Sequence, residues 1–97
     1  MNMLGSISVT ELQSLLHKVT LFDIRSVAKF QEGHIPGAVQ VDKNELMVRP
    51  ERFMKLGTPY YVYCDYGSKS LNICRMLSAK GYHVITVIGG YRAWNSK

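Results

Sequence analysis

Apolar positions along the chain switch repeatedly between two spacings. Ser8-Val9-Thr10-Glu11 has the form of a capping box, a hydroxyl followed three residues later by Glu. Leu12, Leu15 and Leu16 follow at helical spacing, so residues 9–17 are predicted to form a first helix, with Ile7 before it in a very short edge strand. Thr20 to Ile24 is nearly continuously apolar, the pattern of a strand buried on both faces. Residues 26–32 predict a short helix that Gly33 stops, and Ile35-Pro36-Gly37-Ala38 predicts a type II turn. Val39 to Val41 is a further short strand, and Asp42 is placed to cap a helix over 43–48. The segment 49–59, with Pro50, Gly57 and Pro59, is mixed turn and helix.

The second half is more sharply patterned. Tyr60 to Cys64 is a strand by its aromatic and β-branched content. Ser70 is positioned to cap a helix carrying Leu71, Ile73, Cys74 and Leu77 on one side, and Gly81 ends it. His83 to Ile88 is a strand, Gly89-Gly90 turns the chain, and Tyr91 to Trp94 makes a last helical turn. Strand and helix alternate, and several strands are too apolar for a half-exposed sheet. The expected architecture is α/β: a central, mostly parallel sheet of four to five strands with helices on both faces. With no repeat, low-complexity tract or linker, residues 1–97 are expected to be one domain.

Composition narrows the function classes. Hydrophobic residues make up 46% and charged residues 20%, which describes an ordinary globular chain. No apolar run reaches the roughly 20 residues that span a bilayer, and the opening Met1-Asn2-Met3-Leu4-Gly5-Ser6 lacks the features of a secretory signal. No membrane association and a cytoplasmic location are the expectation. The net charge of +5 favours anionic partners, yet the basic residues are scattered, without the cluster or aromatic signature of a nucleic-acid binder. Two cysteines ten residues apart form neither a disulfide framework nor a metal-ligand pair. In a reducing compartment both are free thiols, and any role comes from reactivity or packing.

One stretch invites the first of these. Cys64-Asp65-Tyr66-Gly67-Ser68-Lys69-Ser70 places a cysteine at the end of a strand and before a helix N-terminus. In open α/β sheets ligands gather at the carboxyl ends of strands, where Asp23-Ile24-Arg25 and Val41-Asp42 also stand if the strands are parallel. The backbone N–H groups of the loop lack helical partners and can converge on an anion, with Gly67 allowing the bend. Lys69 favours a negative sulfur, and Asp65 opposes it. A buried cysteine that merely fills space is the competing reading for Cys64. It is the preferred one for Cys74, which shares its helix face with Leu71 and Leu77. Arg25 paired with Glu32 or Asp23 reads as a buried-edge ion pair, His34 as a turn residue, and Trp94 as a lid on the last helix.

Three segments together resemble the rhodanese family of sulfurtransferases in its small single-domain form. Leu21 to Arg25 followed by Phe30 to Ala38 is similar to the family's D-x-R…(F/Y)-x-x-G-H-I-x-G-A. Tyr63 to Ser70 resembles its active-site loop, C-x-x-G-x-R-S, and Gly89-Gly90-Tyr91-Arg92-Ala93-Trp94 its closing G-G-x-x-x-W. The resemblance implies a rhodanese-like three-layer domain. It also implies that Cys64 accepts a sulfane sulfur from thiosulfate or a low-molecular-weight persulfide and passes it to cyanide or a thiol. The persulfide and substrate would be held by Asp65, Tyr66, Gly67, Ser68, Lys69, Ser70 and Arg25. No metal or organic cofactor is implied, a protein thiol is also a compatible acceptor, and a monomer is expected. Lys69 stands where the family often has Arg, which removes the forked grip on a sulfonate. Two rivals remain. One is a non-enzymatic rhodanese-like binding or regulatory module. The other is a phosphatase or arsenate-reductase-like enzyme, whose C-x₅-R loop would need Arg where Ser70 stands.

Overall fold

Every run rich in β-branched or aromatic residues becomes a strand in the computed structural model, which describes residues 3–96. The strands are β1 (Leu4–Ile7), β2 (Thr20–Asp23), β3 (Val39–Gln40), β4 (Pro59–Tyr63) and β5 (His83–Val87). They form one sheet in the order β1-β5-β4-β2-β3, and every neighbouring pair is parallel. Asp23 stands opposite both Gln40 and Tyr63, so the carboxyl ends of β2, β3 and β4 finish in one row. The sequence expectation of strands ending together at Arg25, Asp42 and Cys64 follows from that register.

Side-chain alternation splits the core in two. Phe22, Tyr60, Val62, Cys64 and Val84 face one side, against Ile73, Cys74 and Leu77. Leu21, Tyr63 and Val87 face the other, against Leu12, Ile35 and the half-buried Tyr91 and Trp94. Helices α1 (Val9–Gln13), α2 (Val27–Glu32), α3 (Lys43–Val48), α4 (Ser68–Ala79) and α5 (Gly90–Asn95) complete the α/β layers. None of these is long and apolar enough to cross a membrane, among the described residues.

Several ends differ from expectation for local reasons. The capping box at Ser8 and Glu11 forms in full. Helix α1 nevertheless stops at Gln13 rather than residue 17. The Ser14 hydroxyl donates to the Glu11 carbonyl at 2.9 Å, and the next N–H bonds, Leu15 to Leu12 and Lys18 to Leu15, span three residues instead of four. The turn then closes at His17, whose φ is 65°. Asp42 caps α3 as read, accepting from the Glu45 N–H at 3.0 Å. The Pro36-Gly37 turn is of type II, with Gly37 at φ 85° and the Ala38 N–H donating to Ile35 O. Residues 50–52 form a single 3-10 turn, Pro50–Arg52. Helix α4 begins at Ser68, two residues before the cap assigned from residue type, and its N-cap is Gly67 in the left-handed region.

Candidate active site

The displaced start of α4 is explained by the cysteine. Cys64 follows β4 and is 3% exposed. Its Sγ accepts hydrogen bonds from the Gly67 N–H at 3.1 Å and the Ser70 N–H at 3.3 Å. Ser70 is the third residue of α4, the position whose N–H a capping side chain ordinarily takes. The sulfur therefore takes the capping role at a 12-residue helix, accepting the N–H of its third residue, which has no partner within the helix. This arrangement complements negative charge on the sulfur or on an atom bonded to it.

Ser70, freed from capping, holds the site from below. Its Oγ lies 3.5 Å from Cys64 Sγ, which donates to it, and it donates to Gly67 O at 3.1 Å. It also shares a 2.8 Å hydrogen bond with Thr86 Oγ1 on β5, with both side chains buried. Thr86 was missed in the sequence, although a hydroxyl interrupting the apolar run His83 to Ile88 was the available signal. Gly90 was missed as well. A Cβ there would lie 2.4 Å from Cys64 O and 2.8 Å from Asp65 O, at φ 59°. The start of α5 thus rests directly on the cysteine loop. It is fastened there by N–H donation from Tyr91 to Cys64 O (2.8 Å) and from Arg92 to Asp65 O (2.9 Å).

Arg25 pairs with Asp23, as the ion-pair reading anticipated, and not with Glu32. Its Nη2 approaches Asp23 Oδ2 at 2.6 Å, its Nε and backbone N–H also reach that carboxylate, and Nη2 donates to Gly33 O at 2.7 Å. Tyr63 donates to the same carboxylate at 2.7 Å and accepts from the Ile35 N–H at 3.1 Å. The guanidinium lies 4.2 Å from the centre of the Tyr91 ring. Burial works against the charge of Arg25, but the hydrogen bonds and charge of Asp23 outweigh it and leave the group above its ordinary value. Burial, then donation to Asp23, pushes Tyr63 well up. His34 bonds Phe30 O at 2.8 Å through Nδ1 and stacks on the Phe30 ring, a turn role as expected.

A cleft of about 500 Å³ opens over the sulfur, and Cys64, Arg25, Lys29, Lys43, Asp65 and Lys69 are among its walls. Lys69 is exposed on this wall. Asp65 is held by Lys29 at 2.7 Å and lies 3.9 Å from Arg25 Nη1. On the far side of the loop a second hollow of about 400 Å³ is lined by Tyr66, Gly67, Ser68, Leu71, Thr86 and Ile88, among others. Tyr66 is largely exposed, with the Arg92 guanidinium 5.5 Å from its ring centre. The structure thus brings Cys64, Gly67 and Ser70 into contact, places Asp65, Lys69 and Arg25 along the cleft, and turns Tyr66 and Ser68 to the other side. Cys74 is fully buried, and burial, then the nearby Cys64, pushes its thiol up to about 12. Among the described residues no three His, Cys, Asp or Glu side chains converge as metal ligands.

Comparison with known proteins places the fold and the family. A family model described as "Rhodanese-like domain" matches residues 8–97. Thiosulfate sulfurtransferase GlpE of Tolumonas auensis is 30% identical over 97 residues, covering 97% of this chain and 91% of that protein. The human single-domain sulfurtransferase TSTD1 superposes with a TM-score of 0.82 at 29% identity, covering 96% of each chain. The Bacillus anthracis protein CoADR-RHD, solved in its reduced form, superposes with a TM-score of 0.86 at 25% identity. That match takes in 97% of this chain but only 17% of the other, where the fold is one part of a longer protein.

Proposed function

We propose, from the premise that this chain belongs to the rhodanese-like family and is similar to sulfurtransferases within it, that it carries sulfane sulfur on Cys64 as a persulfide. The observation that supports this most directly is the sulfur-capped helix, with Sγ 3.1 Å and 3.3 Å from two backbone N–H groups and open to a cleft.

In the first step the Cys64 thiolate attacks the outer sulfur of a donor. A bond forms between Sγ and that sulfur, and the donor's S–S bond breaks. Its electron pair leaves on sulfite when the donor is thiosulfate, or on a thiolate when it is an organic persulfide. In the second step cyanide or a thiolate attacks the outer sulfur, and the pair returns to Sγ. On the protein, negative charge resides on Sγ or on the sulfur bonded to it. Fixed N–H dipoles that need no reorganisation favour it there, and Ser70, held by Thr86, keeps Sγ in register. Arg25 acts by fixing the mouth, because Asp23 and Gly33 O already occupy its guanidinium. Lys69 contributes positive field at the cleft wall. The two free thiols suit a reducing compartment such as the cytoplasm.

Intact mass after incubation with thiosulfate, and separately with glutathione persulfide, tests the reading. The expected result is a gain of one sulfur atom per chain that cyanide removes and that Cys64→Ser abolishes. No adduct from either donor would overturn it and leave a domain that recognises rather than transfers.

A further inference from the structure

Four cationic side chains line the 500 Å³ cleft, namely Arg25, Lys29, Lys43 and Lys69, and two of them, Arg25 and Lys29, are already matched by carboxylates. Asp23 takes the Arg25 guanidinium in a two-pronged contact. Asp65, the residue directly after Cys64, turns one oxygen to Lys29 at 2.7 Å and the other towards Arg25 at 3.9 Å. Its side chain is 29% exposed and lines both this cleft and the neighbouring one of about 330 Å³. A carboxylate thus stands at the mouth where the leaving half of a donor must sit. Among the described residues, Lys43 at the start of α3 and Lys69 in the first turn of α4 also line the cleft, without a carboxylate at ion-pair distance.

The two donor classes differ in what they need there. Thiosulfate brings three oxygens and a second negative charge within one bond of the sulfur attacked. It needs a convergent set of donors at that spot and meets a carboxylate instead. An organic persulfide puts an uncharged carbon chain at that spot and its carboxylates several bonds away, clear of Asp65, in a cleft whose wall also carries Lys43 and Lys69. A cleft of this volume also suits a peptide-sized thiol rather than a five-atom oxyanion.

We infer that Asp65, pinned between Lys29 and Arg25 beside Cys64, is the specificity-determining residue of the cleft, turning away compact sulfonate donors and favouring organic persulfides. The inference rests on the sulfur-transfer reading above. The step it selects is balanced. The Cys64 thiolate and a protonated organic persulfide give the Cys64 persulfide and an organic thiolate, with one S–S bond formed and one broken.

The test is the ratio of thiosulfate to glutathione persulfide loading rates, measured by mass on the same sample so that any unfolded fraction cancels. Wild type is expected to load from glutathione persulfide faster. Asp65→Asn removes one charge close to the sulfonate and is expected to raise the ratio about five- to tenfold, the size of one screened charge acting on a dianion at several ångströms. Lys29→Gln breaks the same pair but leaves the carboxylate unmatched, so the ratio is expected to fall. A strut that merely ties α2 to the loop would move both variants in the same direction. That result, an unchanged ratio, or faster loading of wild type by thiosulfate would overturn the inference while sulfur transfer stands. No loading of wild type by either donor would overturn both.

Discussion

Gly90→Ala tests whether the start of α5 sets the geometry of the cysteine loop. The added Cβ would sit 2.4 Å from Cys64 O and 2.8 Å from Asp65 O, so the two segments must part by about half an ångström merely to reach a tight contact. Three costs combine. A non-glycine residue at φ 59° costs about 1–2 kcal/mol. Weakening the Tyr91 and Arg92 N–H bonds to the loop carbonyls costs about 0.5–1 kcal/mol each. The expected loss is therefore about 2–4 kcal/mol, within the roughly 5–15 kcal/mol of a domain this size. Gly57→Ala supplies the matched control. Its φ is 86°, and a Cβ there has no neighbour within 4 Å, so it carries the backbone cost alone, about 1–2 kcal/mol. Urea denaturation measures both. Sulfur-loading rates, corrected for folded fraction, are expected to fall at least tenfold in Gly90→Ala, because a reacting atom displaced by much of an ångström loses its alignment. Gly57→Ala is expected to load normally. If Gly90→Ala proved no less stable than Gly57→Ala and loaded at the wild-type rate, α5 would not be a buttress of the site.

Two further outcomes follow from the buried polar groups. Asp23→Ala leaves the Arg25 guanidinium, 4% exposed, without its hydrogen-bonded counter-charge and with only Asp65 3.9 Å away, and is expected to lower unfolding free energy by about 3–5 kcal/mol in urea; adding Arg25→Leu should recover part of the loss, since that poorly matched buried charge is then gone. Cys74 gives a pH dependence: its thiol is raised in the folded state to about 12, so it contributes stability in full below the unfolded value near 8.5. That stability declines as pH climbs from about 8.5 towards 12, by about 1.4 kcal/mol per pH unit, and Cys74→Val is expected to flatten this part of the profile measured by thermal melts.

Most of the sheet could be read from the sequence because burial on both faces leaves runs such as Thr20 to Ile24 and His83 to Ile88 with no competing interpretation. Caps made by side chains were equally legible, as Ser8 and Asp42 show, since each depends on residues three apart. What sequence could not reveal depended on partners distant along the chain. Ser70 has the right chemistry for a cap, but Cys64 Sγ takes its N–H, and Thr86, sixteen residues on, takes its hydroxyl. Tyr63 was read only as a strand residue. Its contact with Asp23, forty residues earlier, exists because β2 and β4 pair in register. Gly33 ends α2 as anticipated, yet in extended backbone at φ 168° rather than in the left-handed form. Its lack of a side chain matters because Tyr91 Oη would lie 2.5 Å from a Cβ there.

A helix whose cap is the nucleophile couples chemistry to folding. Negative charge at a helix N-terminus is worth about 0.3–1 kcal/mol when exposed and up to about 2 when partly buried. Whatever resides on Cys64 therefore changes the anchoring of α4, the longest helix and the one that carries Ile73, Cys74 and Leu77 into the core. Loading, unloading and irreversible oxidation of the sulfur become distinct stability states of the whole domain. A bulky blocking group on the thiol does more than occupy the cleft, because it withdraws the acceptor that starts the helix. The same coupling makes serine, whose hydroxyl oxygen can still accept from the Ser70 N–H, a cleaner inactive replacement at position 64 than alanine, which would remove the reactivity and the helix cap together.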